Sequence, residues 1–289
     1  MINMLNNPIL SEKTMLGFAK EKEQGDLFAT QLLPERSVKS RAIEWKVIKN
    51  TRELAPEIRE GSEDTLTGLG YDEKSAIVKE IREGAMLTEQ AIAEASLRDL
   101  VKDHLDHLVE RNILKQEAMI FNEIVKNAGS VYGQTVDWSS DTSSPLSDLQ
   151  TVIRDAKKND YVSFDTMVID PDREFELLQN KEIREILLQA KPETLISGTN
   201  VKALGRIKGL NVYVADAVYD ATTGEAKPIL EGKTILMKKG SQTGNTMVRE
   251  AMTVRRFADL GKRAIRLQVF KTMFPVIYRP QNIAIINHA

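Results

Sequence analysis

A single long helical pattern constrains this chain more than any other feature. Between residues 88 and 127, apolar side chains recur at the spacing of one helix face. Thr88 is suited to cap the start of this helix, Gly129 is suited to end it, and Ser96 offers a second cap where a break would fall. A helix of this length is on the order of 50 Å long at 1.5 Å per residue. Because only one face is apolar, we expect the helix to lie along a surface. The apolar positions are Ile92, Leu97, Leu100, Val101, Leu105, Leu108, Val109, Ile113, Leu114, Ile120, Phe121, Ile124 and Val125.

The segment before the helix predicts a β-ribbon that is not self-sufficient. Residues 42–49 alternate apolar and polar side chains, which is typical of a strand with one buried face, and residues 75–81 are suited to be its return strand. Residues 57–71 between them are rich in charge and glycine. A two-stranded ribbon is barely stable alone in water. We therefore expect the ribbon, residues 34–84, to lie against another subunit.

Residues 1–33 predict an N-terminal arm. Short apolar islands at 15–18 and 27–29 lie between charged stretches such as residues 20–23, and Pro34 closes the segment. Such a segment cannot bury much apolar surface by itself. We expect it either to stay loose or to pack on another surface.

The stretch from Phe164 to Gly209 predicts a compact α/β layer. A short apolar strand at 167–169 precedes a helix, and a second strand follows at 212–214. Asp170 and Asp172 stand at the start of the helix, where carboxylates cap the N-terminus and interact favourably with its dipole. We predict capping rather than acid–base catalysis for this pair. Nothing else in the stretch has the pattern of a catalytic site.

The remaining patterns complete a mixed helix and sheet protein. The turn-rich segment 139–145 predicts a boundary between subdomains, and a helix follows over residues 146–158. Further strands are predicted at 234–237, 252–257, 264–270 and 283–286.

Composition narrows the class of protein. The 289 residues are 42% hydrophobic and 28% charged, which is ordinary for a globular protein with a core. The formal net charge of −2 argues against a polycation that coats nucleic acid. The absence of cysteine excludes disulfides and cysteine–zinc sites. The N-terminus lacks a signal-peptide pattern, and no apolar run approaches the ~20 residues that span a bilayer.

The candidate chemical motifs are weak. His104 and His107 are spaced to share a helix face and could hold a metal, but a solvated charged face explains them as well. The loop 240–246 lacks the lysine of a phosphate loop, and Gly68 and Gly70 lack the third glycine of a dinucleotide site. We predict no catalytic, cofactor-binding or metal-binding residue, and no enzyme.

A basic cluster lies between residues 249 and 271, opposed only by Glu250 and Asp259. On neighbouring strands some of these side chains would share one face. Three interpretations are open: contact with an acidic neighbouring subunit, contact with nucleic-acid phosphates, or a solvated strand face. The cluster comprises Arg249, Arg255, Arg256, Lys262, Arg263, Arg266 and Lys271.

The order of these features resembles a known family. An arm, a charged ribbon, a long amphipathic helix, an α/β domain and closing strands follow one another as in the major capsid proteins of tailed viruses of bacteria and archaea, which have the Hong Kong 97-like fold. The pieces that carry the resemblance are IEWKVIKN with the loop up to Ile81, residues 92–127, DTMVIDPDREFELLQNKEIREIL, GLNVYVAD, DLGKRAIRLQVF and FPVIYRPQNIAII.

The resemblance implies an α+β fold with a fixed order of parts. These are an N-terminal arm (1–33), an extended loop or β-ribbon (34–84), a peripheral domain (85–140 and 247–289) with a spine helix (92–127), and an axial domain (141–246).

The resemblance also implies a function. Subunits would assemble into hexamers and pentamers that form an icosahedral head around double-stranded DNA, which they would contact non-specifically. Portal and scaffolding proteins would be further partners, no membrane would be involved, and the protein would be located in the virion after assembly in the host cytoplasm. An encapsulin, which has the same fold and encloses protein cargo, is the alternative. A metal-dependent enzyme and a DNA-binding protein are the competing hypotheses from other classes.

The same resemblance raises the questions of scaffolding and of cross-links between subunits. Family members that carry a cleaved scaffolding segment have a longer N-terminal part, so scaffolding here would be a separate protein or already removed. Some members form Lys–Asn cross-links, but the spacing of Lys46, Lys49 and Lys74 relative to Asn282 and Asn287 singles out no pair. The resemblance also suggests which residues contact neighbouring subunits. These candidate contacts are Trp45, Glu57, Arg59, Glu60, Glu63, Asp64, Arg173, Glu174, Lys181, Glu182, Arg184, Glu185, Arg255, Arg256, Arg263 and Arg266.

Overall fold

The computed structural model of the protein describes residues 10–26, 28–49, 70–94, 97–133, 138, 140, 143–184, 203–220, 225–259 and 261–288. Most of the predicted ribbon tip, and the predicted helix break at Ser96, lie outside these ranges. The helices in chain order are α1 (Glu12–Asp26), α2 (Ala29–Leu32), α3 (Glu89–Glu94), α4 (Leu97–Lys126), α5 (Pro145–Asn159) and α6 (Pro171–Gln179).

The strands are mostly short, apart from two long ones near the C-terminal end. They are β1 (Glu35–Ser37), β2 (Ala42–Ile48), β3 (Tyr71–Ile77), β4 (Lys79–Thr88), β5 (Ser130–Gly133), β6 (Thr166–Ile169), β7 (Ala203–Ile207), β8 (Leu210–Val214), β9 (Ala217–Asp220), β10 (Glu225–Pro228), β11 (Lys233–Met237), β12 (Gly244–Asp259), β13 (Ala264–Ile277) and β14 (Ile283–Asn287).

The chain divides into two compact units. Unit 1 comprises Met1–Ile43, Ile77–Glu123 and Asn245–Val276, and unit 2 comprises Glu44–Ala76, Ile124–Gly244 and Ile277–Ala289. The segment 247–289, assigned above to one domain, is therefore shared between the two units. The reason is local: β13 pairs within unit 1, whereas β14 pairs with β11 and β5 in unit 2.

Unit 1 is organised around the long helix and one sheet. The helical pattern of the sequence forms α4, which has 30 residues and buries Val101, Leu105, Val109 and Ile113 along one face. These side chains share an apolar cluster with residues of β4, β12 and β13, including Leu267. The sheet has the order β1-β12-β13-β4, with β4 antiparallel to β13 and β1 parallel to β12.

The strand predicted as the return of the ribbon, residues 75–81, is two strands in the structure. β3 ends at Ile77, the Val78 N–H donates to the Arg41 carbonyl oxygen at 2.9 Å, and β4 begins at Lys79. β4 then pairs with β13 over ten residues. The alternation that buries Ile81 and Leu87 continues beyond the predicted end, which makes β4 a sheet strand rather than part of the ribbon.

The described part of the predicted arm, residues 10–26 and 28–33, packs on unit 1. The Ser11 hydroxyl accepts the Thr14 N–H at 3.2 Å and so caps the start of α1. Leu10, Met15 and Ala19 are fully buried in the apolar cluster of unit 1. The arm is therefore not loose here, and these residues place α1 on the apolar cluster of unit 1.

Unit 2 contains a six-stranded mixed sheet in the order β5-β14-β11-β6-β8-β7. Its central strands are buried along their length, as in β6, where all four residues are buried. One face packs on α5, whose Leu149, Val152 and Ala156 lie in one cluster with Met167 and Leu236. The helix predicted at 146–158 and the strands predicted at 167–169, 212–214, 234–237 and 283–286 are all confirmed.

The helix after β6 is shorter than its apolar pattern indicates. α6 ends at Gln179, and Asn180 leaves the helix with φ −59° and ψ 131°. The Asn180 side chain donates to the Trp138 carbonyl oxygen at 2.8 Å and accepts the Glu182 N–H at 3.0 Å. A helical turn resumes at 181–184, and the pattern residues Ile186 and Leu187 lie outside the described part of the chain.

A backbone-to-backbone contact fixes the residue that follows α4. Gly129 donates its N–H to the carbonyl oxygens of Pro280 and Ile283, at 2.9 and 3.1 Å. A Cβ at this position would lie 2.7 Å from the Pro280 backbone, closer than two such atoms approach. Glycine is therefore required here by close approach and not only as a helix stop.

Candidate functional site

The candidate metal motif, His104 and His107, lies on α4. His104 is half-buried and His107 is exposed on α4. Across the described residues, no group of three or more His, Cys, Asp or Glu side chains is placed to hold a metal ion.

Among the helices that the structure describes, none is long and apolar enough to cross a membrane.

The loop at 240–246 is a tight turn built around Thr243. Gly240 adopts a φ of +114°, and its carbonyl oxygen accepts the N–H of Thr243 at 3.0 Å. The Thr243 carbonyl oxygen accepts the Tyr278 N–H at 2.8 Å, and its hydroxyl accepts from the Asn282 side chain at 3.0 Å. These polar groups of the turn take part in internal hydrogen bonds, which supports a structural role over phosphate binding.

Asp170 does not cap α6 through its side chain, contrary to the prediction. It occupies the N-cap position without a capping bond, and its carboxylate instead accepts the N–H groups of Leu230 and Gly232, at 3.3 and 2.6 Å. Burial raises the pKa of Asp170, while the two backbone donors act in the opposite direction. The carboxylate joins α6 to the turn before β11, a long-range role that the sequence does not reveal.

Trp45, the candidate contact on the ribbon, is half-buried and bonded within its own chain. Its indole N–H donates to the Ile277 carbonyl oxygen at 3.1 Å. The ribbon also carries an exposed ion pair between Lys49 and Asp72, at 2.7 Å. Trp45 therefore anchors β2 to its own chain, and part of the indole stays exposed.

The charged candidates on and after α6 have different surroundings. Arg173 and Glu176 form a largely buried ion pair, with Nη1 and Oε1 2.6 Å apart. Burial raises the pKa of Glu174. Glu182 accepts the Ser144 hydroxyl at 2.9 Å, and the Arg184 guanidinium donates to the Gln179 carbonyl oxygen at 2.9 Å.

Two apolar side chains on α6 are exposed instead. Phe175 is 63% exposed and Leu178 is 43% exposed, and they are three positions apart on one helix face. Apolar side chains at helical spacing are normally buried, and these two are not. Lys181 is also exposed, whereas Glu185 lies outside the described residues. The outer surface of α6 is thus amphipathic and includes an aromatic side chain.

The basic cluster divides between two sides of the unit 1 sheet. Arg255 and Arg266 are both exposed, and the Arg255 guanidinium lies 4.7 Å from the ring centroid of Phe270. Phe270 is the register partner of Arg82, and Arg266 is the register partner of Met86, so these side chains share one face. We call this surface the basic-aromatic face, and its members are Arg82, Met86, Arg255, Phe257 and Arg266.

The basic-aromatic face encloses a shallow concavity of about 520 Å³. Phe257 is 47% exposed and Met86 is 38% exposed, which is unusual for large apolar side chains in a folded sheet. Arg256 lies on the opposite side of the strand and Arg263 lies in the turn before β13 with a φ of +46°, so neither joins this face. The concavity is lined by Arg82, Phe257, Ala258, Asp259, Arg266 and Gln268.

Sequence reasoning brought Arg255 and Arg266 together but missed the rest of this face. The signal was the strict alternation at 82, 84 and 86 on β4, which places Arg82 and Met86 on one side. The candidate contacts Glu57, Arg59, Glu60, Glu63 and Asp64 lie outside the described residues.

Comparison with known proteins identifies the class of protein. A family model described as phage capsid protein matches residues 75–284. The chain therefore belongs to the phage capsid protein family, and its α+β architecture is the Hong Kong 97-like fold expected from the sequence. It is a structural protein of the capsid shell, located in the virion capsid, and not an enzyme.

Solved structures share this fold at low sequence identity. A phage-related protein from Bordetella bronchiseptica RB50 is 13% identical, with a TM-score of 0.70 over 95% of this chain and 96% of that chain. The capsid of cyanophage P-SCSP1u is 12% identical, with a TM-score of 0.60 over 92% and 89%. The SrpI encapsulin of Synechococcus elongatus PCC 7942 is 11% identical, with a TM-score of 0.60 over 91% and 87%. No curated protein matches the chain.

Proposed function

We propose that this chain is the major capsid protein of a tailed virus. Its subunits assemble into hexamers and pentamers, which form an icosahedral head around double-stranded DNA. The observation that carries the proposal is the match of the phage capsid family over residues 75–284. Assembly takes place in the host cytoplasm, with portal and scaffolding proteins as further partners.

The domains of the fold have matching roles in this proposal. Unit 2, with its six-stranded sheet and α6, supplies the axial domain at the centre of each capsomer. Unit 1, with most of α4, supplies the peripheral domain. The ribbon that contains β2 and β3 supplies the extended loop that crosses to a neighbouring subunit.

The exposed surfaces support assembly through two separate contacts. Phe175 and Leu178 present an apolar patch on α6, and exposed apolar side chains of this size mark interaction sites. The basic-aromatic face presents three arginines beside Phe257, a composition enriched at interface centres. Residues 51–69 carry five acidic and two basic side chains, so this part of the extended loop complements the basic-aromatic face in charge.

One experiment tests assembly directly. The full chain, expressed with its scaffolding protein where one is encoded nearby, is expected to form closed icosahedral shells in electron micrographs. A variant lacking residues 60–70 is expected to give soluble subunits and no shells, since the extended loop would no longer reach its neighbour. Normal, stable shells from this variant would contradict the role of the loop.

The alternative function is an encapsulin shell, which the similarity to the SrpI encapsulin favours. The two functions differ in what the native particle contains. Heads attached to tails and filled with nuclease-protected double-stranded DNA support the capsid, whereas small tail-less shells filled with one enzyme support the encapsulin.

A further inference from the structure

The N-terminal segment is attached to unit 1 by apolar and by charged contacts. We call residues 10–38 the strap. Within α1, Met15 and Ala19 are buried, whereas Lys13, Lys20 and Glu21 are exposed. Leu16 and Phe18 pack on the same apolar cluster but are only partly buried. Burial therefore supplies part of the attachment of α1, and two further contacts add to it.

The first of these contacts is made by a buried carboxylate on α4. Glu117 is fully buried, and its Oε1 accepts the N–H groups of Phe28 and Ala29, at 2.9 and 3.4 Å. These two N–H groups lie at the start of α2, where backbone donors have no partner within the helix. A carboxylate is favoured at this end of a helix by its charge as well as by its hydrogen bonds.

The second contact is a buried lysine that holds both ends of the strap. The Lys271 side chain on β13 is 2% exposed. Its Nζ lies 2.7 Å from Glu23 Oε1 on α1 and 2.6 Å from Glu35 Oε1 on β1. The two carboxylates are twelve residues apart in sequence, so one ammonium group closes the loop between α1 and β1.

Main-chain bonds complete the attachment after this loop. The Thr246 N–H donates to the Pro34 carbonyl oxygen at 3.0 Å, and its hydroxyl donates to the Leu33 carbonyl oxygen at 3.1 Å. The Val38 N–H donates to the Val248 carbonyl oxygen at 2.9 Å. The strap is thus fixed firmly at its C-terminal end, whereas α1 depends on Lys271 and a few apolar side chains.

From this geometry we propose that the strap is held on its own unit by the ion pairs that Lys271 makes with Glu23 and Glu35. We call these ion pairs the latch. When the latch is broken, α1 detaches and exposes the apolar groove of unit 1 beneath it, which includes Leu105 and Leu267, while the rest of the unit stays folded. A buried ammonium group without its carboxylates is strongly unfavourable, so the closed strap requires both Glu23 and Glu35. In this proposal the strap stays on its own subunit.

Hydrogen exchange of the full chain tests the latch. The double variant Glu23→Gln, Glu35→Gln leaves the buried ammonium without charged partners. Amides of α1 are expected to exchange at least about tenfold faster, because the closed strap then buries an ammonium group without its carboxylates, which favours local opening. Amides of β6 and β11 in unit 2 are expected to keep their rates. Glu21→Gln, an exposed change on the same helix, is the matched control.

A third substitution separates the latch from simple damage to the fold. Adding Lys271→Met to the double variant removes the unpaired cation and fills its space with an apolar chain, so slow exchange of α1 is expected to return. The latch is disproved if the double variant exchanges like the control, or if the triple variant stays fast. Faster exchange throughout unit 1 would also disprove it, because the effect would then be general unfolding.

A second measurement decides whether the strap stays on its own subunit. Equal amounts of 14N- and 15N-labelled subunits are mixed before assembly, and the particles are treated with a carbodiimide, which joins an amine to a carboxylate in contact with loss of water. Peptides joining Lys271 to Glu23 or Glu35 are expected to be all-14N or all-15N. Peptides of mixed label would show that the strap crosses to a neighbour and would overturn the proposal.

Discussion

The two large sheets of this molecule differ in how they are covered. The central strands of the six-stranded sheet are buried on both faces, with Met167 and Leu236 on one side and Val168 and Ile235 on the other. The four-stranded sheet of unit 1 buries one face and exposes the basic-aromatic face on the other. A sheet covered on both sides is stable within its own subunit, whereas a sheet with an exposed aromatic and basic side has surface left for a partner.

The largest effect is expected in the doubly covered sheet. Leu149→Ala on α5 removes a fully buried side chain, and we expect it to lower the free energy of unfolding by about 2–5 kcal/mol. Met86→Ala on the basic-aromatic face is expected to cost less than about 1 kcal/mol, because that side chain is partly exposed. Denaturant unfolding of soluble subunits compares the two. If both variants lowered the free energy of unfolding equally, the unit 1 sheet would be covered within the subunit as well.

Trp45 tests whether the ribbon depends on its own chain. Since the indole is half-buried and donates one hydrogen bond, Trp45→Ala is expected to cost about 2 kcal/mol, less than for a fully buried tryptophan. Trp45→Phe keeps one aromatic ring but loses the hydrogen bond and is expected to cost about 1 kcal/mol. Hydrogen exchange of β2 measures both. A ribbon unaffected by either change would show that Trp45 acts only between subunits.

Asp170 gives a pH-dependent test within unit 2. Because burial raises its folded pKa above the ordinary value near 3.8, the folded protein binds this proton more readily than the unfolded chain. The contribution of Asp170 to stability therefore rises as the pH falls through the raised pKa, and it levels off below the ordinary value. The free energy of unfolding of the wild type minus that of Asp170→Asn should therefore increase as the pH falls through this range.

Asp172→Asn on the same helix turn is the control for that measurement, since Asp172 is exposed. A flat profile for Asp170→Asn would show that the Asp170 carboxylate ionises alike in the folded and unfolded chain.

The smallest effect on subunit stability is expected on the basic-aromatic face. Arg255→Glu with Arg266→Glu should change the free energy of unfolding by less than about 0.5 kcal/mol, because both side chains are exposed. Shell formation, followed by sedimentation, is expected to be lost if this face meets an acidic segment of a neighbour. Arg263→Glu, in the turn outside this face, is the matched control. Normal shells from the double variant would remove the face from the assembly contacts.

The regular elements were predictable where the apolar pattern is strong and local. α4 and α5 follow directly from periodicity, because their buried side chains recur at helix spacing, and β6 follows from a short apolar run. α1 escaped prediction because its buried residues, Met15 and Ala19, are few and lie near charged side chains. β1 has three exposed residues and exists only because its backbone pairs with β12.

The surfaces were less predictable than the elements, because they depend on contacts distant in sequence. Strand alternation predicted that some of the seven basic residues share a face, but which ones do so depends on the register between β12 and β13, which the sequence does not give. The exposure of Phe175 could not, since an apolar residue at helical spacing is normally buried. The bond from Asp170 to Gly232 spans 62 residues and leaves no local signal.

The position of β14 has a consequence for the order in which the protein is made. This strand lies between β5 and β11, in the interior of the six-stranded sheet, although it is the last strand along the chain. Until residue 287 has left the ribosome, β11 keeps one unpaired edge and β5 lacks its partner strand in this sheet. Unpaired edges promote association with other chains, so nascent subunits are most exposed to aggregation just before synthesis reaches that residue. A holding chaperone would be needed most at that moment, and completion of the sheet would release the chain from it.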